Sequence, residues 1–281
     1  MRKADRMFEI STIIKGFIIG GSMLIPGVSG GTMSMIFNIY DRMISSVSSF
    51  MKHKKESFFF LLQFVLGAGA AFLILSGPMA SLNRHFPQEM GFFVIGAVIG
   101  GIPVIYKETR TERLTFISFL YLAAGLALVF GIAMLPKNLF HAGNGGLISF
   151  LIQFLAGILG ALALVLPGIS FSSMLYMMGV YNFIFGALGD RNFLALLPFG
   201  AGCILGILLL TRFLETAMKR YPHPTYMIIL GFVMGSIGDI MGEIPRMPAG
   251  KEIFSCIFWA AAGFFIIFLL SRWEERHPET A

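Results

Sequence analysis

Two uncharged, apolar stretches of this chain are each interrupted by a Pro-Gly pair followed by hydroxyl residues. The first reads Pro26-Gly27-Val28-Ser29-Gly30-Gly31-Thr32 within residues 16–40; the second reads Pro167-Gly168-Ile169-Ser170-Phe171-Ser172-Ser173 within residues 138–189, neither range holding an Asp, Glu, Lys or Arg. Proline removes a backbone donor and glycine is a poor helix former, so each pair breaks a helix. Broken backbone at membrane depth is tolerated only where it is buried in protein or lines a cavity, and a matched pair of breaks points to a transport site.

Composition supplies the membrane. Of 281 residues, 56% are hydrophobic and 13% charged, with a mean hydropathy of +0.80, outside the range of soluble domains. The chain reads as an all-α polytopic membrane protein. Further spans are expected at residues 58–75, 90–106, 114–135, 192–211, 225–238 and 253–271, since about 20 apolar residues at about 1.5 Å each cross a core of about 30 Å. Net charge is +6 and the isoelectric point about 9.4, but the basic residues lie in short loops between apolar runs. That pattern belongs to membrane topology and gives no nucleic-acid surface. Cys203 and Cys256 both sit in apolar segments, which indicates neither a disulfide framework nor a cysteine metal site. Arg2, Lys3 and Arg6 ahead of an apolar run mimic a signal peptide. Lys15 interrupts that run and the Pro-Gly break stands where cleavage would occur, so the segment is expected to be retained.

The halves match residue by residue. Pro26/Pro167, Gly27/Gly168, Ser29/Ser170, Met33/Met174 and Tyr40/Tyr181 pair at an offset of 141; Phe64/Phe199, Gly67/Gly202, Pro87/Pro222, Gly96/Gly231, Gly100/Gly235 and Glu108/Glu243 pair at 135. One length difference, in the loop after the break, aligns residues 1–140 with 141–281 as two repeats. If each broken segment crosses once, Lys and Arg divide 11 to 10 between the two sides. If each instead returns to its starting side, they divide 16 to 5, with both termini cytoplasmic by the positive-inside rule. Each repeat is then a broken or re-entrant hairpin plus three transmembrane helices. An odd number of passes turns the second repeat upside down, giving two inverted-topology repeats.

Ser29 and Ser170 stand where the helix after each break begins, as N-caps followed by exposed amides. Such a start suits an anion: Gly30 and Gly31 admit a phosphate oxygen close to the backbone, and Ser29 and Thr32 donate hydroxyls. In the second copy Ser170, Ser172 and Ser173 supply the hydroxyls. A second group of residues is charged. Glu108 and Glu243 hold equivalent positions, Asp239 lies one turn before Glu243, and Arg42 follows the first break; these are candidates for a charge network or for coupling to a proton or sodium ion. Met33, Met35, Met174, Met177 and Met178 are candidates for an apolar wall along a lipid tail. Gly96, Gly100, Gly231 and Gly235 carry helix-packing spacing. His85, His141 and His223 read as loop residues at no metal-ligand spacing, and no metal or cofactor is expected.

The paired Pro-Gly-x-Ser motifs, with Lys15-Gly16 leading to the first, resemble the bacterial polyprenyl-phosphate transporter family, once catalogued as a domain of unknown function. The resemblance implies a cytoplasmic-membrane protein that returns undecaprenyl phosphate, the lipid carrier of cell-wall precursors, to the inner leaflet, with membrane lipids as its surroundings. A secondary transporter of a small soluble anion would use the same tips around a closed cavity. A lipid-phosphate enzyme would need a nucleophile with a base or metal, and no such set is visible, so a transporter rather than an enzyme is expected.

Overall fold

The computed structural model describes residues 9–25, 28–110, 114–134 and 146–276, the side chains of 172, 173, 188, 189 and 273–276 excepted. Among the described residues every regular element is helical, and one order of lengths occurs twice. The first half runs α1 (Ile10–Ser22), α2 (Gly30–Ile36), α3 (Tyr40–Ser48), α4 (Lys54–His85), α5 (Pro87–Glu108) and α6 (Phe116–Ala133). The second runs α7 (Leu147–Val165), α8 (Phe171–Met177), α9 (Tyr181–Gly189), α10 (Leu197–Arg220), α11 (Pro222–Glu243) and α12 (Glu252–Arg276). Seven of these, α4 to α7 and α10 to α12, are long and apolar enough to cross a membrane. At 13 residues α1 reaches only about 20 Å.

Local chemistry sets the boundaries. Pro87 and Pro222 open α5 and α11, where the missing amide costs nothing and φ is already helical. Thr115 and Ser118 form a capping box at the start of α6. The short helices α2 and α8 end alike. Asn38 (φ 52°) and Gly179 (φ 71°) adopt the left-handed conformation. The following amides of Ile39 and Val180 reach back to the carbonyls of Ser34 and Leu175 at 3.0 and 3.1 Å. This is the Schellman stop, and it reverses the chain at matching positions in both halves.

Two expectations need correction. The segment read as a loop after the first break contains α3, whose Tyr40 and Ile44 are buried on one face; its polar composition hides a helical period. The span at 58–75 is only part of α4, which continues through Pro78 to His85, because residues such as Ser76, Ser81 and Asn83 end the hydropathy signal before they end the helix. His85 and His223 accordingly lie in helical ends, while His141 falls outside the described residues.

Glycines dictate how the long helices meet. In the pair α1–α4, a side chain on Gly67 would collide with the backbone oxygen of Ile13; in α7–α10, one on Gly202 would collide with that of Phe154. Across the halves, α5 pairs with α12 and α11 with α6. There Gly96 faces the backbone of Ala260, Gly263 that of Phe93, Gly231 that of Leu122 and Gly125 that of Ile228. Helices in lipid gain little from hydrophobic burial against each other, so close backbone approach through glycine is the available attraction. The result places α5 and α11 at the centre, 50% and 56% buried, against 17% for α6 and α12.

The chain leaving the first break runs back along α1. Lys15 Nζ donates to the carbonyl of Phe37 at 3.1 Å, and Arg42 at the start of α3 meets Glu9 ahead of α1 at 2.6 Å.

Candidate functional site

The two breaks meet in the interior. Thr32 Oγ1, on α2, accepts a hydrogen bond from the backbone amide of Gly168 at 2.9 Å, with both groups buried. Tyr40, 2% exposed, donates from its hydroxyl to the carbonyl of Val165 at 2.8 Å. The stretch after the first break therefore satisfies backbone groups that the second break leaves unpaired on either side of Pro167. Gly31 permits the approach: a Cβ there would lie 3.1 Å from the Cα of Pro167. Gly168 has φ +81° and backs onto the carbonyl of Phe232, so it is glycine for both conformational and steric reasons.

Ser29 holds the backbone position of an N-cap but makes no capping hydrogen bond. It is 6% exposed, and its Oγ is a buried polar atom with no hydrogen-bond partner among the described residues. Leaving such a group unsatisfied costs roughly 1–3 kcal/mol, which a bound acceptor or donor would offset. Gly30 lies beneath the Met23 thioether, whose sulfur would be 2.7 Å from a Cβ there. The helices after the breaks are seven residues each, too short for a helix dipole by itself to define a site. Pro26 and Gly27 lie outside the described residues, as do the side chains of Ser172 and Ser173.

Ser170 lines a cavity of about 60 Å³ together with Val129, Ile132 and Ala133 of α6, Ile169, Met174 and Met177 beside the second break, and Asp239 of α11. The five methionines read as candidates for an apolar wall are all buried, and Met174 and Met177 line this cavity.

The candidate charged residues do not form one network. Arg42 is taken up by Glu9 and lies over the Phe60 ring at 4.6 Å. Glu108 ends α5 within the field of Asp41 and Arg110, whereas Asp239 lies within the field of Glu243 on α11. Sequence reading missed the polar contacts at the Glu108 end. Tyr226 donates to Asp41 Oδ2 at 2.5 Å, and Ser48 and Ser49 both donate to Glu215. Burial pushes the Asp41 carboxyl above the usual carboxylate range, with the Tyr226 hydrogen bond and the Arg110 charge pulling back. These partners lie between 166 and 185 residues apart in sequence, and no local signal announces them. Among the described residues, no group of three or more His, Cys, Asp or Glu could hold a metal ion.

Interrupted helices that meet at a buried polar contact, surrounded by long apolar helices, define a multi-pass membrane protein with a polar junction in its interior. The sequence model of the VCA0040-like, undecaprenyl phosphate translocase-like family matches residues 19–243, spanning both breaks, and the chain belongs to this family. It is 30% identical to a polyprenyl-phosphate transporter of Staphylococcus aureus over 284 residues, 95% of this chain and 98% of the relative. It is 28% identical to a polyprenyl-phosphate transporter of Vibrio cholerae over 249 residues, 83% of this chain and 78% of the relative. No solved structure matches the chain.

Proposed function

We propose that this protein moves a polyprenyl phosphate, with undecaprenyl phosphate the expected carrier lipid, across the bacterial cytoplasmic membrane toward the inner leaflet for reuse in cell-wall synthesis. Residues 1–140 and 141–281 act as two inverted repeats with cytoplasmic termini. Each repeat sends a re-entrant hairpin to the membrane interior, and the phosphate binds where the hairpins meet. Ser29, Gly30 and Gly31 serve it from the first break, and Ser170, Ser172 and Ser173 from the second. Thr32 joins them when its contact with Gly168 opens. The repeated glycine contacts make α1–α4 and α7–α10 two units that can move about the breaks, while α5–α12 and α6–α11 join the halves at the centre.

The observation that carries this reading is the unpartnered, buried Ser29 hydroxyl beside the junction of the two breaks. A lipid phosphate presents strong acceptor oxygens to such hydroxyls while its tail stays in the bilayer. The test is leaflet exchange of a fluorescent polyprenyl phosphate in liposomes, comparing wild type with the double variant Ser29→Ala, Ser170→Ala. The double variant is expected to fold and to lose most of the exchange. Unchanged exchange would remove the proposed cradle.

A further inference from the structure

The cavity at the second break contains a group that phosphate binding does not explain. Among the described residues its lining is apolar except for Ser170 and Asp239. Asp239 makes no hydrogen bond or ion pair among the described residues, and the charged group acting on it is Glu243, of the same sign. Among the described residues, other elements bring no counter-charge. The described stretches of α6 and α8 contain no Asp, Glu, Lys or Arg, and their titratable groups are the tyrosines Tyr121, beside His223, and Tyr176, stacked on Tyr181. At this end of α5, Glu89 accepts from Ser255, and Arg246 after α11 is paired with Glu252. The charged residues of α10 run from Arg212 to Arg220, at the level of the Asp41–Tyr226 contact rather than of Asp239.

An ionised carboxylate in such a space is unfavourable, and a phosphate entering beside it is repelled. The cavity is the size of about two waters, too small to hold the two anions apart. Protonating Asp239 removes the repulsion and turns the carboxyl into a hydrogen-bond donor for a phosphate oxygen. The duplication isolates this feature: Ser170 corresponds to Ser29, but Asp239 corresponds to Val104. The carboxyl therefore belongs to only one of the two otherwise equivalent breaks.

We propose that Asp239 is the proton-binding residue of the transport cycle, taking a proton from solvent as a phosphate headgroup reaches Ser170 and carrying it with the lipid. This rests on the transport reading above. Linkage makes the effect reciprocal: whatever factor protonation of Asp239 adds to phosphate affinity, phosphate adds to proton affinity. With proton and lipid moving together, the lipid accumulates in the leaflet on the alkaline side of an imposed pH gradient.

The experiment measures exchange of fluorescent polyprenyl phosphate in liposomes holding wild type, Asp239→Asn or Asp239→Glu, at matched pH on both sides and under a proton gradient. Wild-type exchange is expected to slow by about tenfold or more between about pH 6 and 9, and to follow the gradient. Asp239→Asn, close to the protonated carboxyl in shape, is expected to exchange without that slowing and to ignore the gradient, while Asp239→Glu keeps the response. An Asp239→Asn protein with the wild-type pH profile and gradient response overturns the proposal, as does a folded Asp239→Glu protein that ignores the gradient. Wild type that exchanges lipid indifferently to pH and gradient overturns this proposal alone. Wild type that exchanges no polyprenyl phosphate overturns the transport reading and this one with it.

Discussion

Thr32→Val removes one hydroxyl and keeps the β-branched shape, so it isolates the hydrogen bond that joins the two breaks. The bond from the Gly168 amide is 2.9 Å long and buried, a normal geometry for N–H···O. Its loss deletes a bond of net value about 0.5–1.5 kcal/mol and strands a buried amide, a total of about 1–3 kcal/mol. Polar contacts within membrane proteins average nearer 0.6 kcal/mol, so the lower part of that interval is expected, about 1–2 kcal/mol. Thermal unfolding of the purified protein in detergent should show it as a fall of several degrees, at roughly 2–4 °C per kcal/mol. Thr32→Ser retains the acceptor and should recover most of the loss. The same variants, scored for leaflet exchange in liposomes, separate stability from transport: Thr32→Val should exchange polyprenyl phosphate more slowly even below its melting range, because the breaks no longer share a fixed register. A Thr32→Val protein that melts and exchanges like wild type would refute the reasoning that this contact couples the two breaks.

Other outcomes follow from neighbouring contacts. Tyr40→Phe leaves the Val165 carbonyl without its buried donor and should cost about 1 kcal/mol; combined with Thr32→Val, it should show a non-additive term in a double-mutant cycle, since both clamp one break. Gly67→Ala and Gly202→Ala each drive a methyl into a facing backbone oxygen and should lower the yield of folded protein through overpacking of about 1–3 kcal/mol or more, read by size-exclusion chromatography. Arg42→Ala breaks an ion pair in which Arg42 is 50% exposed, so its cost should stay within about 1 kcal/mol and phosphate exchange should survive; loss of exchange in a folded variant would place Arg42 at the phosphate. Because the folded carboxyl of Asp41 titrates above its unfolded value, the stabilising protonated form is lost as pH rises through the folded pKa. Asp41→Asn should therefore gain in melting temperature relative to wild type over that rise and match it below.

The breaks, their duplication and most spans were readable because proline, glycine and uncharged runs act locally and recur at fixed offsets. The glycine pairs were readable as contact points, but not their partners. That α5 packs on α12 and α11 on α6 depends on pairing across the halves, which hydropathy does not encode. The helix α3 was hidden because its exposed face carries Asp41 and Arg42 and mimics a loop. At the site, sequence placed hydroxyls and glycines beside the breaks. It assigned Thr32 and Gly31 to a ligand but gave no sign that they also form the contact between the breaks: the hydroxyl meets the Gly168 amide and the missing Cβ admits Pro167. The four candidate charged residues do not come together because Arg42 found a nearer carboxylate in Glu9, and because Glu108 lies at the opposite end of the central helices from the neighbours Asp239 and Glu243.

The most direct test of the account is an experimentally determined structure with polyprenyl phosphate bound. The account predicts phosphate oxygens within about 3 Å of the Ser29 or Ser170 hydroxyl, between the two breaks, with the tail leaving sideways into lipid. A phosphate seated instead at the Glu9–Arg42 end or against the Asp41–Tyr226 contact, with Ser29 still unpartnered, would contradict it.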